Sequence, residues 1–413
     1  MKKTLLILAL LGIGIINANA QSAQDKVPHS VRTCPKIGSE RTEIILPQVN
    51  GYNIYKGDFH THTMYSDARI SPKGRVMEAW SDGLDILAIT DHYEARENEK
   101  NLLKVLAKYS EDGKPKRSLS AAPYSKPKDG SDPGVMADFN AIHQEAVSEN
   151  RWAGYNLLLI KGCEFGRNTN DKGHFNALFV KDLNTLYSYN LEDSFRKVRE
   201  QGGIVIHNHP SYKRPKGSTD KSEWDKMVYG EGLIKGVEVA NGYNFYPRMV
   251  RRCIEEKLAM FGNTDEHRFT TYRFGSRNVF RTMTLVFAKE CTEEAIKEAI
   301  LDCRTLVYSG GCVIGEEQLL SDFLNASIHC QQIRENKKKG ERTYTLTNMT
   351  SFPYRLRQGK TIHELEPFET ITISFGKDKN SGELLPPKFR VENMWHIDYK
   401  HPNIEIEIDK KLK

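Results

Sequence analysis

The chain has 413 residues, of which 28% are charged and 9% are aromatic, and its formal net charge is +6. This length is enough for one large domain and a smaller one, with the composition of an ordinary soluble globular protein. The basic residues are dispersed and form no stripe interleaved with aromatic residues, which argues against a nucleic-acid partner.

Residues 1–20 have the pattern of a secretory signal peptide. Lys2 and Lys3 precede an apolar run over residues 5–16, and Ala18-Asn19-Ala20 is a cleavage site of small residues. The run is shorter than the roughly 20 residues that span a bilayer, although an uncleaved anchor remains the alternative. We therefore expect an exported protein, periplasmic or extracellular, with no transmembrane segment in its mature form.

Strand and helix patterns alternate along most of the chain that follows. Residues 21–52 are predicted to form an N-terminal arm, and residues 53–335 a large α/β domain. Its predicted strands are 52–55, 84–90, 156–160, 174–180, 204–206, 236–240, 258–262 and 282–288. Its predicted helices are 72–83, 98–109, 136–149, 193–201, 247–257 and 292–302. Such alternation predicts a parallel sheet, here closed into a barrel.

The composition changes behind the charged stretch 334–342. We interpret this stretch as a linker, with a solvated loop inside one domain as the alternative. Further on, apolar residues alternate with polar ones at Ile371, Ile373 and Phe375, and prolines punctuate the segment. This pattern predicts a small C-terminal all-β domain, sandwich-like, over residues 336–413.

Two histidines, His60 and His62, directly follow the first predicted strand. Because successive side chains of an extended chain point to opposite sides, these two share a face and can bind one divalent metal such as zinc, manganese or iron. Other residues with metal-ligand chemistry also lie at predicted strand ends, where barrel enzymes place their active sites. They are His92, Glu164, His174, His209, Asp265 and His267, and the short polar stretch after His62 brings the carboxylate of Asp67 back near the pair.

These residues belong to six short motifs that occur in a fixed order. The motifs are His-x-His-x-x-x-Ser-Asp, Thr-Asp-His, Gly-x-Glu, Gly-His-Phe-Asn, His-Pro and Asp-x-His. In this order they resemble the PHP (polymerase and histidinol phosphatase) family over roughly residues 53–330. The resemblance implies a distorted (β/α)₇ TIM-like barrel that binds two or three divalent metals and hydrolyses a phosphoester.

The family pattern also implies which residues bind each metal. His60, His62, Glu164 and Asp265 would bind the first metal. Glu164 would bridge to a second metal held by His174 and His209, and Asp67, His92 and His267 would bind the third. Asp58 and Asp91 are interpreted as carboxylates that orient imidazoles, with loop capping as the alternative.

Charge supports the same reaction class. Three divalent ions bring six positive charges and the carboxylates of Asp67, Glu164 and Asp265 return three, which leaves a positive site for a phosphate ester. We hypothesise that a hydroxide bridging the metals attacks phosphorus, because bound metals lower the pKa of water. Glu164 would be catalytic as the bridging ligand, and His207 is a speculative proton donor.

Residues near these motifs are candidates for contacting the substrate. Arg167, Arg268 and Lys213, with the adjacent Arg214, could bind phosphate, although each could equally be a solvated surface charge. The run Tyr243-Asn244-Phe245-Tyr246 could stack on a ring of the substrate or simply pack a helix. The partner expected is a small phosphorylated molecule.

Two other functions fit part of the pattern. An amidohydrolase-like metal hydrolase also uses His-x-His in a barrel, but usually with a carbamylated lysine or a different order of histidines. A non-catalytic surface protein would bind its partner through the C-terminal domain, with a barrel that has lost its ligands. The specific ester, the metal, the oligomeric state and any disulfide pairing among the seven cysteines stay open.

Overall fold

The structure is a computed structural model that describes residues 40–93, 107–109, 117–118, 136–166, 172–188, 190–212, 214–275, 279–378 and 381–409. The predicted signal peptide, most of the predicted helix 98–109, Arg167 and Lys213 lie outside the described residues. Seven α-helices occur in the described part: α1 Pro72–Ser81, α2 Phe139–Ala153, α3 Leu191–Glu200, α4 Glu223–Gly230, α5 Pro247–Glu256, α6 Glu293–Leu301 and α7 Glu317–Ser327.

The strands fall into a barrel region and a C-terminal region. The first strands are β1 Asn53–Asp58, β2 Ile86–Ile89, β3 Arg117–Ser118, β4 Met136–Ala137, β5 Leu158–Phe165, β6 His174–Leu178, β7 Ile204–Asn208, β8 Ile234–Asn241, β9 Asn244–Phe245, β10 Ala259–Asn263, β11 Met283–Ala288, β12 Thr305–Ser309 and β13 Cys312–Ile314. The others are β14 Ile328–Asn336, β15 Glu341–Asn348, β16 Tyr354–Gln358, β17 Thr361–Leu365, β18 Thr370–Phe375, β19 Lys388–Val391, β20 Met394–Trp395 and β21 Asn403–Glu405.

One large curled sheet has the strand order β10-β8-β7-β6-β5-β2-β1-β11-β12-β13-β20. It is mixed, so the prediction of a wholly parallel sheet is wrong at β6 and β11. β6 runs antiparallel to β5 and β7, and β11 runs antiparallel to β1. Only residues 166–173 separate β5 from β6, which is too short for the crossover that a parallel pair requires.

The edge strand β10 lies against β11 and β12, where threonine hydroxyls bond its backbone. The amide of Gly262 donates to Thr284 Oγ1 at 3.0 Å, and the amide of Met260 donates to Thr305 Oγ1 at 3.1 Å. Buried polar backbone groups need such partners. The sheet thus curls into the distorted barrel expected from the resemblance.

The barrel interior is filled below the candidate site by apolar side chains. Phe59 and Phe261 meet edge to face with ring centroids 5.3 Å apart. Gly57 and Gly236 leave the space for these rings, because a Cβ at either position would lie within 2.6 Å of a ring carbon. A buried cluster of this kind is the main stabilising contribution to a domain.

The C-terminal region contains two small antiparallel sheets, β14-β15-β18 and β17-β16-β19-β21. They face each other through contacts such as Phe375 with Phe389, whose centroids are 5.3 Å apart. This is the sandwich-like module that the alternation predicted. The charged stretch 334–342, however, is not a linker but the end of the β14–β15 hairpin, and the domain boundary at 335/336 stays a prediction.

The C-terminal region also extends the large sheet, since β20 pairs in parallel with β13. None of the helices in the described ranges is long and apolar enough to cross a membrane.

Candidate metal centre

The nine predicted ligand residues meet at one end of the barrel. The parallel strands β1, β2, β5, β7 and β10 end there, and each carries its ligands at or just after its last residues. β6 runs the other way, so its first residue, His174, reaches the same edge. Four overlapping groups have donor atoms within 4.8 Å of one another: His62-Asp67-His92-His267, His60-Glu164-His209, His60-His62-Asp265 and His92-Glu164-His174.

The segment after β1 is held by buried carboxylates. Asp58 accepts hydrogen bonds from the amides of His60 and Thr264, each at 3.2 Å. Asp91 accepts from the amide of Thr63 at 2.6 Å and from Ser66 Oγ at 2.6 Å. These contacts are the loop capping that was the alternative prediction. Ser66 Oγ also lies 3.5 Å from His62 Nδ1, so Asp91 reaches that imidazole through Ser66, and its orienting role stays a prediction.

His60 and His62 project into the same space, as their spacing predicts. Both side chains are fully buried, and their Nε2 atoms lie 3.1 Å apart. Asp265 Oδ1 lies 3.2 Å from the first and 3.1 Å from the second. Two ring nitrogens and a carboxylate oxygen at mutual distances of about 3 Å match a shared tetrahedral ion.

Glu164 lies at the centre of the cluster and is fully buried. Its Oε1 is 3.3 Å from His60 Nε2, 3.3 Å from His174 Nδ1 and 3.4 Å from His209 Nε2. Its Oε2 is 2.6 Å from His92 Nδ1, in a geometry that makes no hydrogen bond. A buried carboxylate oxygen facing a ring nitrogen without a hydrogen bond is costly in itself, and it fits a position that binds cations.

Asp67, His92 and His267 form the outer part of the cluster. Asp67 Oδ1 lies 3.1 Å from His267 Nε2, and its Oδ2 lies 3.6 Å from His92 Nε2. His267 Nδ1 is 3.0 Å from the backbone oxygen of Asp265, which fixes the ring so that Nε2 faces Asp67.

The charges in the cluster shift its pKa values strongly. Burial opposes the charged form of His92, yet Glu164 and Asp67 raise its pKa to about 10. Burial and the neighbouring imidazoles of His267 and His92 lower the pKa of His62 to about 3. A divalent cation interacts with the same carboxylates that stabilise a proton on His92, so ion binding competes with protonation.

His207, predicted as a proton donor, does not face the site. Its Nδ1 lies 2.8 Å from Tyr229 Oη, and its ring stacks on Phe175. The prediction assumed that His207 and His209 share a face, but His209 has a φ of +23°, which ends the strand alternation. Asn208 takes the inward position instead, and its Nδ2 donates to Glu164 Oε1 at 2.8 Å.

Two of the predicted cationic residues, Arg268 and Arg214, have partners outside the cluster. The Arg268 guanidinium lies over the Tyr272 ring, 5.2 Å from its centroid, and Arg268 is not among the residues that line the cavity. Arg214 pairs with Asp225 at 2.9 Å. Arg167 and Lys213 are outside the described residues.

Sequence reasoning missed three residues that support the ligands. Glu238 contacts His60 Nδ1 at 2.8 Å, and Asn176 Oδ1 accepts from Asn208 at 2.7 Å. Arg281 donates to Asp58 at 2.6 Å. A charged residue inside the apolar strand pattern GVEVA was the only signal for Glu238.

The cluster forms the base of a cavity of about 1470 Å³. The predicted run Tyr243-Asn244-Phe245-Tyr246 lines this cavity in full. The other lining residues outside the cluster include Tyr212, Lys216, Arg248 and Arg273. The space above the ligands therefore combines aromatic rings with positive charges.

Comparison with known proteins agrees with this geometry. Residues 58–237 match the sequence profile of the PHP domain. The chain contains a PHP domain. A two-domain protein from Bacteroides vulgatus, described as containing a predicted PHP-like metal-dependent phosphoesterase, has a similar structure with a TM-score of 0.73 and 28% identity. The match covers 89% of this chain and 98% of that one.

Two other solved structures are more distantly similar to the chain. One is a protein from Bifidobacterium adolescentis assigned as a metal-dependent phosphoesterase, with 14% identity, a TM-score of 0.37, and coverage of 60% of this chain and 96% of that one. The other is an amidohydrolase from Chromobacterium violaceum with bound sulfate, with 14% identity, a TM-score of 0.31, and coverage of 51% and 87%. No curated protein matches the chain. The PHP domain and its cluster have the fold and ligands of a metal-dependent hydrolase.

Proposed function

We propose that this protein is a metal-dependent phosphoesterase that hydrolyses a phosphate mono- or diester. The observation that carries the proposal is the convergence of nine histidine, aspartate and glutamate side chains around the buried Glu164, at the base of an open cavity. Divalent ions bound by these residues would supply a nucleophile at neutral pH and polarise the phosphoryl oxygens.

Glu164 would bind ions through both oxygens, because each oxygen faces a different set of imidazoles. Asn208 fixes its orientation by donating to Oε1, and Asn176 in turn accepts from Asn208. Among the residues that the structure describes, this arrangement holds the carboxylate without a lysine or arginine partner, which leaves its charge available for cations. Imidazole and carboxylate ligands suit zinc, manganese and iron.

The volume of the cavity favours a substrate that carries a sizeable organic group in addition to its phosphate. Its volume of about 1470 Å³ exceeds the several hundred Å³ that are typical of a small-molecule site. Tyr243 and Phe245 would contact a ring of the leaving group, and Arg273 would attract its negative charge. Arg273 is held near the cluster because its Nη1 donates to the backbone oxygen of Thr264 at 2.9 Å.

Tyr246 is the hydroxyl that we infer hydrogen-bonds the substrate. Burial, together with the negative charges of Glu238 and Asp265, raises the pKa of Tyr246 well above its usual range. Tyr246 also lines the cavity, so its protonated hydroxyl would donate a hydrogen bond to a phosphoryl or leaving-group oxygen of a bound ester.

The two competing functions have less support. The amidohydrolase-like alternative usually requires a carbamylated lysine among the metal ligands, whereas the oxygens that face the imidazoles here belong to Glu164, Asp265 and Asp67. The binding-protein reading needs a decayed ligand set, whereas all nine side chains are present and mutually close.

Hydrolysis of two chromogenic esters tests the proposal. The protein is incubated with p-nitrophenyl phosphate or bis-p-nitrophenyl phosphate, before and after chelation, and again after manganese or zinc is restored. We expect nitrophenol release from at least one ester, its loss with chelator and its return with metal. Absence of chelator-sensitive release from both esters would favour the non-catalytic binding protein.

We also infer that the protein is exported, on the strength of the signal-peptide pattern over residues 1–20. The N-terminal sequence of the protein recovered from its native host tests this, since cleavage predicts a chain that begins near Gln21. A mature chain that keeps residues 1–20 would contradict cleavage.

A further inference from the structure

Glu238 is a buried carboxylate whose role the PHP motifs do not describe. It lies within β8, between Val237 and Val239, which pack into an apolar cluster on the other side of the strand. Its side chain has no exposed surface. A fully buried carboxylate is unusual unless a specific set of partners compensates it.

Four donors surround the two carboxylate oxygens of Glu238. Oε1 is 2.8 Å from His60 Nδ1 and 2.9 Å from Asn263 Nδ2. Oε2 is 2.7 Å from the backbone nitrogen of His209 and 2.9 Å from Asn241 Nδ2. No lysine or arginine is among these four contacts. Of the four, only the His60 imidazole can become positively charged or bind a cation through its other ring nitrogen.

The contact with His60 selects a tautomer. A proton on Nδ1 is donated to Glu238, and this leaves the lone pair of Nε2 directed towards Glu164 and Asp265. A carboxylate behind an imidazole in this way orients the ring and raises its basicity as a metal ligand.

The contact with His209 holds a strained backbone. His209 has a φ of +23° and precedes Pro210, whose ring restricts the residue before it. The hydrogen bond from its amide to Glu238 Oε2 fixes this conformation, and the imidazole of His209 then faces Glu164 with its Nε2 3.4 Å from Oε1.

We propose that Glu238 is a positioning residue for the ion-binding group formed by His60, Glu164 and His209. One carboxylate sets the tautomer of the first histidine and the backbone of the second, so both imidazoles of this group depend on it. The inference rests on the proposed function only in that the cluster binds divalent ions. It does not depend on which ester is hydrolysed.

The test compares metal binding by wild-type protein, Glu238→Gln and a matched control, Glu145→Gln. Glutamine has nearly the same volume as glutamate, but its amide nitrogen cannot accept a hydrogen bond. Because each carboxylate oxygen of Glu238 accepts from two donors, the substitution removes two of the four hydrogen bonds. Glu145 is also a buried carboxylate, but its hydrogen bond in the described part of the chain is from Tyr65 Oη at 2.7 Å, and Tyr65 is not a ligand of the cluster. Affinity for Mn²⁺ and for Zn²⁺ is measured by competition with a chelating dye, together with the melting temperature with and without metal.

We expect Glu238→Gln to bind the ion held by His60, Glu164 and His209 about 10–100-fold less tightly, the range typical of residues behind metal ligands. The rise in melting temperature on adding metal should shrink with it, while Glu145→Gln should match the wild type in both. Equal affinity in Glu238→Gln and wild type overturns the proposal. So does a lower melting temperature of the metal-free variant with an unchanged rise on adding metal, because that describes a purely structural role.

A second measurement applies if Glu238→Gln does not fold. In the zinc-loaded wild type, ¹⁵N-histidine NMR should show His60 protonated on Nδ1, with the signal assigned by its loss in His60→Gln. Protonation of His60 on Nε2 overturns the proposal. If the wild type itself binds no metal, the proposed function fails instead, so the two failures are distinguishable.

Discussion

Glu164 faces five imidazoles through its two oxygens, which makes it the side chain that links the ligand groups. Glu164→Gln halves its capacity to bind cations and removes its charge. We expect the variant to lose bound metal and to hydrolyse the ester more than about 100-fold more slowly. Replacing a residue that only supports a metal ligand typically lowers metal affinity or activity about 10–100-fold, and replacing the ligand itself should lower it further. Metal content and nitrophenyl ester hydrolysis measure this, with Glu145→Gln as control; a fully active variant with normal metal content would refute the linking role.

Arg281 compensates the buried charge of Asp58 beneath the site. Its Nη2 donates to Asp58 at 2.6 Å and its Nη1 to Asp82 at 3.0 Å. Arg281→Met leaves Asp58 without a cation, and we expect it to lower the free energy of unfolding by about 3–5 kcal/mol. The control Arg355→Met breaks an exposed pair with Glu364 and should cost less than about 1 kcal/mol. Urea unfolding measures the free energy of unfolding of both variants. A decrease for Arg281→Met as small as that for Arg355→Met would contradict this role of Arg281.

The sequence predicted the metal-ligand residues but not every residue that surrounds them. The motifs predicted which histidine, aspartate and glutamate residues bind metal, and the structure brings those nine side chains together. The mistaken role of His207 came from extending strand alternation through His209, whose positive φ no periodicity reveals. Glu238 was missed because its partner His60 lies 178 residues away in the chain.

At the level of elements, the contact between β10 and β11 depends on hydroxyls. Thr284 Oγ1 accepts from the amide of Gly262 and donates to its backbone oxygen at 2.9 Å. Thr284→Val keeps the shape but leaves these buried groups unpaired, which should cost about 1–3 kcal/mol of unfolding free energy. Thr343→Val, which removes an exposed contact with Ser374, should change stability by less than about 0.5 kcal/mol.

Chemical denaturation of both threonine variants gives the comparison. A loss for Thr284→Val no larger than that for Thr343→Val would show that the barrel edge does not need the hydroxyl.

Five of the predicted helices are confirmed as α1, α2, α3, α5 and α6, whereas α4 and α7 were not predicted. Ser71 and Pro72 start α1 as expected, with Ser71 Oγ accepting from the amide of Gly74. Hydrophobic periodicity carries no information on strand direction, so the antiparallel β6 needed the length of its connection to be recognised. The charged stretch 334–342 resembled a linker because the exposed end of a hairpin has the same composition as one.

At the level of the whole molecule, His143 makes stability depend on pH. Burial, with a smaller contribution from Lys161, lowers its pKa to about 4 from the usual 6.5. Between these values the unfolded chain binds more protons than the folded one, so the free energy of unfolding falls as the pH drops from about 6.5 to about 4.

His143→Gln should remove this part of the pH dependence. We expect the loss of stability between pH 7 and pH 4.5 to be smaller in the variant by roughly 1–3 kcal/mol. Urea unfolding of the two metal-free proteins at each pH measures this difference. The histidines of the metal centre titrate in the same way in the wild type and in the variant, so their contribution cancels. An identical loss in the two proteins would mean that His143 is not held neutral.

Anomalous diffraction from crystals supplied with Mn²⁺ or Zn²⁺ tests the central claim most directly. If the nine side chains form an ion-binding cluster, anomalous peaks will lie between Glu164 and the surrounding histidines, and they will disappear from crystals treated with chelator. An ordered cluster that shows no anomalous peak after soaking in millimolar metal would contradict the account.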